Sequence, residues 1–201
     1  MDLTTSTKKG TICIITFTRR TPVSFLQAID YTFKKAKAQT ANLLTLSNLV
    51  LGGFAALYTT TGEFSLAALL IFIAAFMDRF DGIAARKLGI ESELGRQLDS
   101  MSDLVSFGVA PALLIYHGLL LDFGVSGMML AIFYIGCGAY RLARFNCKEP
   151  SSFFEGLPIT AAGCLMALSF LASPLISLSW NITIVFLLSI LMISPLKVKK
   201  M

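Results

Sequence analysis

Charge is scarce in this chain. Asp, Glu, Lys and Arg make up 14% of the 201 residues, against about a quarter in ordinary soluble proteins, while 55% of the residues are apolar and the mean hydropathy is +0.74. That balance excludes a water-soluble enzyme and a disordered chain. Histidine is nearly missing, with His117 alone, and the four cysteines (Cys13, Cys137, Cys147, Cys164) stand far apart with no C-x-x-C pair. A zinc site, a thiol redox motif and a disulfide-stapled secreted module are therefore unsupported, and the cysteines read as small buried thiols. Internal repeats, low-complexity tracts and nucleic-acid-binding modules are absent as well. What remains is the composition of an all-α integral membrane protein.

A helix needs about 20 residues to cross the hydrocarbon core, so stretches free of Asp, Glu, Lys and Arg locate the spans. Between Lys37 and Glu63 there are 25 such residues, Phe64 to Met77 gives 14, Leu104 to Leu121 gives 18, Phe123 to Tyr140 gives 18, and Gly156 to Leu196 gives 41. The last stretch is long enough for two helices, with a tight turn expected at Ser179-Trp180-Asn181. Six transmembrane helices follow. The second and third are short only because their ends carry the charged residues between Asp78 and Asp103, on helical extensions leaving the hydrocarbon.

All 17 Lys and Arg residues fall on one side when six spans are threaded alternately: before span one, between spans two and three, around the four-five connection, and after span six. The opposite connections, near Thr60 to Glu63, Asp122 to Gly127 and Ser179 to Asn181, hold none. Both termini are then cytoplasmic by the positive-inside rule, and the net charge of +5 meets anionic lipid headgroups rather than nucleic acid. Thr11 to Phe17 is too short for a secretory h-region and is followed by Arg19-Arg20, so no signal peptide is expected. Pro22 to Lys37 places Phe25, Leu26, Ile29 and Phe33 at helical spacing with Lys34, Lys35 and Lys37 behind them, the pattern of an N-terminal interfacial amphipathic helix; a loose basic tail is the plainer alternative. The expected division is 1–41, leader and interfacial helix, and 42–201, a six-helix domain.

Four aspartates lie in the 26 residues from Asp78 to Asp103. Asp78, Asp81, Gly82 and Ala85 share one helical stripe, and Gly95, Asp99 and Asp103 share another. Two such helices packed antiparallel would bring four acids across a small gap, where they repel unless protonated or neutralised by a cation. Oxygen-only ligands favour Mg²⁺ or Mn²⁺, with Ca²⁺ also compatible, over zinc. Two ions bridged by Asp suit activation of a diphosphate. Ion pairing with Arg79, Arg86 and Arg96 is the structural alternative, but three cations do not balance four anions, nor does pairing call for small residues on the same stripe.

The run D-x2-D-G-x2-A-R-x8-G-x3-D-x3-D from Asp78 to Asp103 resembles the signature of the CDP-alcohol phosphatidyltransferases without a departure. The resemblance implies six membrane helices, often in a homodimer, and metal ligation by Asp78, Asp81 and Asp99, with Asp103 as general base and as a further contact to the second ion. It also implies that Gly82 and Ala85 lie against the cytidine, that Gly95 is among the substrate-binding residues, and that Arg86 braces the site or meets the diphosphate. The reaction implied is attack of an alcohol on the lipid-side phosphorus of a CDP-linked lipid, releasing CMP. His117 falls at the far end of span three, away from this chemistry.

Outside the signature, Asn42-Leu-Leu-Thr45-Leu-Ser-Asn48, Tyr140-Arg141-Leu-Ala-Arg144-Phe-Asn146 and Phe154-Glu-Gly156-Leu-Pro158 are similar to the membrane-spanning phosphatidylserine synthases of that family, with Ala41 departing from a Pro found in many relatives. This implies CDP-diacylglycerol and L-serine as substrates and an active site facing the cytoplasm of a prokaryotic plasma membrane. From the residues alone, Asn42, Thr45 and Asn48 either read the nucleotide or join helices, and Arg141 and Arg144 either bind phosphate or the serine carboxylate or snorkel to headgroups. Gly156-Leu-Pro158 is either a bend over the site or a plain helix breaker. Glycerol 3-phosphate, inositol 1-phosphate and a CDP-archaeol donor are alternatives within the same chemistry. A divalent cation transporter is the alternative from another class; acids gathered at one end rather than at the midplane argue for one-sided chemistry.

Overall fold

The computed structural model describes residues 25–88, 93–147, 153–194 and 197–199, with side chains described within 42–80, 93–147 and 156–194. The leader before residue 25 lies outside the described residues. Helix α1 (Phe25–Thr60) runs unbroken through residues 41 and 42, where the sequence suggested a division. It stops at Gly62, whose φ of +87° suits a residue without Cβ. The Gly62 N–H donates to Thr59 O and the Glu63 N–H to Tyr58 O, the paired bonds of a Schellman ending that satisfy the last carbonyls. Helix α2 (Phe64–Leu88) turns back along α1 to form a hairpin.

Helix α3 spans Glu93–Phe123 in 31 residues. It is widened by two π-helical turns, at Leu104–Val109 and Tyr116–Leu120. Half of its apolar window is buried, against 28% for the corresponding windows of α1 and of α4 (Val125–Cys147), so α3 is the central helix. Small residues let its neighbours approach, as expected where packing rather than water exclusion joins helices. A Cβ on Gly52 of α1 would lie 2.6 Å from Ser106 Cα, and one on Gly163 would lie 2.9 Å from Phe107 Cα. Gly163 belongs to α5 (Ile159–Leu171).

Between α4 and α5 the chain forms strand β1 (Phe153–Glu155), antiparallel to β2 (Lys197–Lys199), with Phe154 opposite Val198. Nothing in the sequence announced this small ribbon in an otherwise helical protein. Gly156, at φ +70°, follows it, and a Cβ there would sit 2.7 Å from Met192 O. The Leu157 N–H donates to Leu191 O at 3.2 Å, so the bend expected at Gly156-Leu-Pro158 is pressed onto the end of α6 (Leu178–Ile193).

The expected turn at Ser179-Trp180-Asn181 lies elsewhere. The chain turns between α5 and α6 over 172–177, around Pro174, whereas Ser179, Trp180 and Asn181 form the first turn of α6 and Asn181 is buried. Proline, which lacks an N–H, outweighs a short polar triplet as a helix breaker. The cysteines also differ from one another: Cys137 is buried, Cys164 is half-buried and Cys147 is exposed.

Among the described residues, three helices are long and apolar enough to cross a membrane, Asn42–Thr60, Glu93–Phe123 and Val125–Cys147, and α5 and α6 are shorter apolar helices. Large apolar side chains such as Val50, Phe54, Phe76, Phe133 and Phe186 face outward, while Ala55, Ala67, Ala68, Ala74, Ala110 and Ala112 are buried. Alanines between the helices and large apolar side chains on the outer surface fit a membrane-embedded bundle, whose surface meets lipid rather than water.

Candidate metal centre

Asp78 stands on α2, and Asp99 and Asp103 stand one turn apart on α3. One carboxylate oxygen from each lies within 4.8 Å of the others, and all three residues are half-buried. Two unit charges about 4 Å apart repel by about 4 kcal/mol at an effective dielectric of 20, and the trio contains three such pairs. Protons or a cation must offset that repulsion. The donor set fits a hard cation: oxygens sharing one ion at about 2.0–2.6 Å stand no more than about 5 Å apart, and neither His nor Cys belongs to the group.

Asp81, Gly82, Ala85 and Arg86 continue α2 from Asp78. Their backbone is helical, and their side chains lie outside the described residues, as does any contact of Asp81 with the trio. Gly95 is half-buried on the first turn of α3.

Two seryl hydrogen bonds lock α3 to α1. Ser102 Oγ donates to Thr45 O at 3.1 Å and Ser106 Oγ to Asn48 O at 3.0 Å. Ser102 and Ser106 are buried and alternate with the acids along the helix. Sequence reasoning passed over both serines, although their four-residue spacing matches that of Asp99 and Asp103. Farther along, the buried Tyr134 hydroxyl of α4 donates to Phe107 O at 3.1 Å, inside the first π-helical turn.

Asn42 is half-buried, Thr45 is buried, and Asn48 is fully buried with neither amide atom hydrogen-bonded among the described residues. A buried amide without partners costs about 1–3 kcal/mol per group, which a bound ligand would offset. The two arginines expected to act as a pair separate. Arg144 Nη1 donates to Ile193 O at 3.0 Å, at the C-terminal end of α6, where a cation meets the negative end of the helix dipole. Arg141 lies within Coulombic reach of Asp103 and Arg144, and its buried Nε–H has no hydrogen-bond partner among the described residues. His117 sits in the second π-helical turn, edge-on to Tyr116 at 5.2 Å between ring centroids, on the far part of α3.

An acidic trio shared by two helices of a membrane-type bundle, beside an arginine with a donor to spare, is a place where a hard cation and an anionic group could be held side by side. The sequence profile of the CDP-alcohol phosphatidyltransferases matches residues 38–195, and the chain belongs to this family of phosphotransferases. It is 41% identical over 136 residues to the CDP-diacylglycerol–serine O-phosphatidyltransferase of Bacillus subtilis (strain 168), covering 67% of this chain and 77% of that one. The enzyme of the same name from Helicobacter pylori (strain J99) is 38% identical over 131 residues, 63% of this chain and about half (55%) of the relative. The archaetidylserine synthase of Methanothermobacter thermautotrophicus is 35% identical over 159 residues, covering 78% of this chain and 67% of the relative.

Proposed function

We propose that the protein transfers the phosphatidyl group of CDP-diacylglycerol to the hydroxyl of L-serine, releasing CMP. The observation that carries this reading is the Asp78, Asp99 and Asp103 trio with the Nε–H of Arg141 unclaimed nearby. The names of the relatives support serine as acceptor.

In this reading Asp78, Asp81, Asp99 and Asp103 hold two divalent ions, Mg²⁺ or Mn²⁺ with Ca²⁺ also compatible. When bound, such ions neutralise a diphosphate and the oxygen that leaves it. The chain's own groups do the rest. Gly82 and Ala85 leave room for the cytidine on α2, Gly95 leaves room on α3, and Arg86 meets the diphosphate. Asn42, Thr45 and Asn48, at helical spacing on α1, read the nucleotide, with the buried Asn48 amide as the strongest candidate because both its polar atoms seek partners. Arg141 takes the serine carboxylate. Arg144, with Nη1 committed to Ile193 O, holds the end of α4 in place and supplies charge from behind.

Serine Oγ attacks the lipid-side phosphorus, Asp103 accepts the hydroxyl proton, and the bond from that phosphorus to the oxygen bridging to CMP breaks as CMP departs. A neutral hydroxyl is a weak nucleophile, so removal of its proton during attack is where a carboxylate contributes most.

The same reading places six transmembrane helices and an interfacial N-terminal segment in a prokaryotic plasma membrane, with the acids at the cytoplasmic face and anionic lipid around them, and a homodimer as the working unit. Residues 1–41 form the leader and interfacial part, and 42–201 form the catalytic domain. An archaeol-linked donor is a second reading, supported by the archaetidylserine synthase among the relatives. The test is CMP release by the purified protein from CDP-diacylglycerol or CDP-archaeol, with serine, glycerol 3-phosphate or inositol 1-phosphate supplied separately, with and without chelator. CMP appearing with serine and vanishing with chelator is expected; CMP released with glycerol 3-phosphate but not with serine would overturn the acceptor.

A further inference from the structure

The acids of α3 function together with Asp78 only if α3 is rotated correctly about its own axis. At about 100° per residue, Asp99 and Asp103 fall within about 40° of each other, Ser100 lies about 80° to one side of their mean direction, and Ser102 lies about 80° to the other. Both flanks are hydrogen-bonded to a different helix. Ser102 Oγ donates to Thr45 O of α1. On the opposite flank, Asn146 Nδ2 at the end of α4 donates to Ser100 Oγ at 2.9 Å, and that hydroxyl donates to Arg96 O at 3.1 Å.

Side-chain tips lie about 5–6 Å from a helix axis. A rotation of about 20° therefore moves a carboxylate oxygen by about 2 Å, a large fraction of the 4.8 Å within which the three acids meet. Without the Ser100 bond, the hydrogen bonds of Ser102 and Ser106 to α1 act on one flank only and packing alone opposes a roll toward it, whereas bonds on opposite flanks oppose the roll in both directions.

We propose that Asn146 is a positioning residue: through Ser100 it sets the rotation of α3 that brings Asp99 and Asp103 to Asp78. The inference rests on the metal-site reading of those three acids, and it gives Asn146 a role that needs no contact with substrate. Partners that orient ligands in this way typically contribute about 10–100-fold to metal affinity.

The test is Mn²⁺ binding to the full-length protein in lipid nanodiscs, without substrate, followed by the electron paramagnetic resonance signal of free Mn²⁺. Melting is recorded for each variant. Asn146→Ala and Ser100→Ala should each weaken Mn²⁺ by roughly 10-fold, the double variant should lose no more than either single one because both remove the same bond, and Ser100→Thr should retain binding. Unchanged Mn²⁺ affinity in Asn146→Ala, with or without a lower melting temperature, overturns the proposal, as does a loss confined to the serine KM. Additive losses overturn it too. If Asn146→Ala does not fold, Ser100→Ala, which leaves α4 intact, decides alone. Wild-type protein that binds no Mn²⁺ would instead remove the metal-site reading, and the proposal with it.

Discussion

The two halves of α3 are built on different principles. From Glu93 to Val109 the helix carries Asp99, Ser100, Ser102, Asp103 and Ser106, and directional bonds to α1 and α4 fix its setting. From Ala110 to Leu120 it buries Ala110, Ala112, Leu114, Ile115 and Leu120 and, among the described residues, shows no side-chain hydrogen bond to another helix. Lipid tails are as apolar as the core, so burial between helices gains little beyond contact. Packing holds the second half together but tolerates small slips; hydrogen bonds in the first half do not. The acids stand in the half where a slip would be costly.

That contrast can be broken at several points. Asp103→Asn should have the largest effect, lowering CMP release by about 10²–10⁴-fold if the carboxylate is the base, with a far smaller change in Mn²⁺ binding than in CMP release, because Asp78, Asp81 and Asp99 still supply ligands. Asp78→Asn should instead weaken Mn²⁺ binding, so Mn²⁺ titrations of the two variants separate the roles. In the packed half, Leu114→Ala should destabilise the fold by about 2–5 kcal/mol, read by thermal unfolding in detergent, with Mn²⁺ affinity unchanged. Gly52→Val would drive a side chain into the Ser106 backbone and should lose about 1–3 kcal/mol. Ser106→Ala, which removes one interhelical bond, should have the smallest effect, about 0.6 kcal/mol. A Ser106→Ala effect as large as that of Leu114→Ala would erase the distinction between the halves.

Much of the fold and the clustering of three of the acids were legible in the sequence, because apolar helices and acids on one helical face both write short-range patterns. The acid spacing placed Asp99 and Asp103 on one face, and the charge-free stretches located α1, α3 and α4. Pairings between distant segments were not legible. No local pattern links Asn146 to Ser100, Tyr134 to Phe107 O, or Phe154 to Val198, because each depends on which helices become neighbours. The α5–α6 turn falls around Pro174 rather than at Ser179-Trp180-Asn181 because a residue without an N–H breaks a helix more strongly than short polar side chains do. The Arg141 and Arg144 pair looked equivalent at i, i+3, and only the arrival of the α6 terminus beside Arg144 separates them.

The ribbon between β1 and β2 ties the segment leading from α4 into α5 to the residues just beyond α6. A proline at Val198 would open that ribbon from both sides at once, because one substitution then removes ladder hydrogen bonds from two segments distant in sequence.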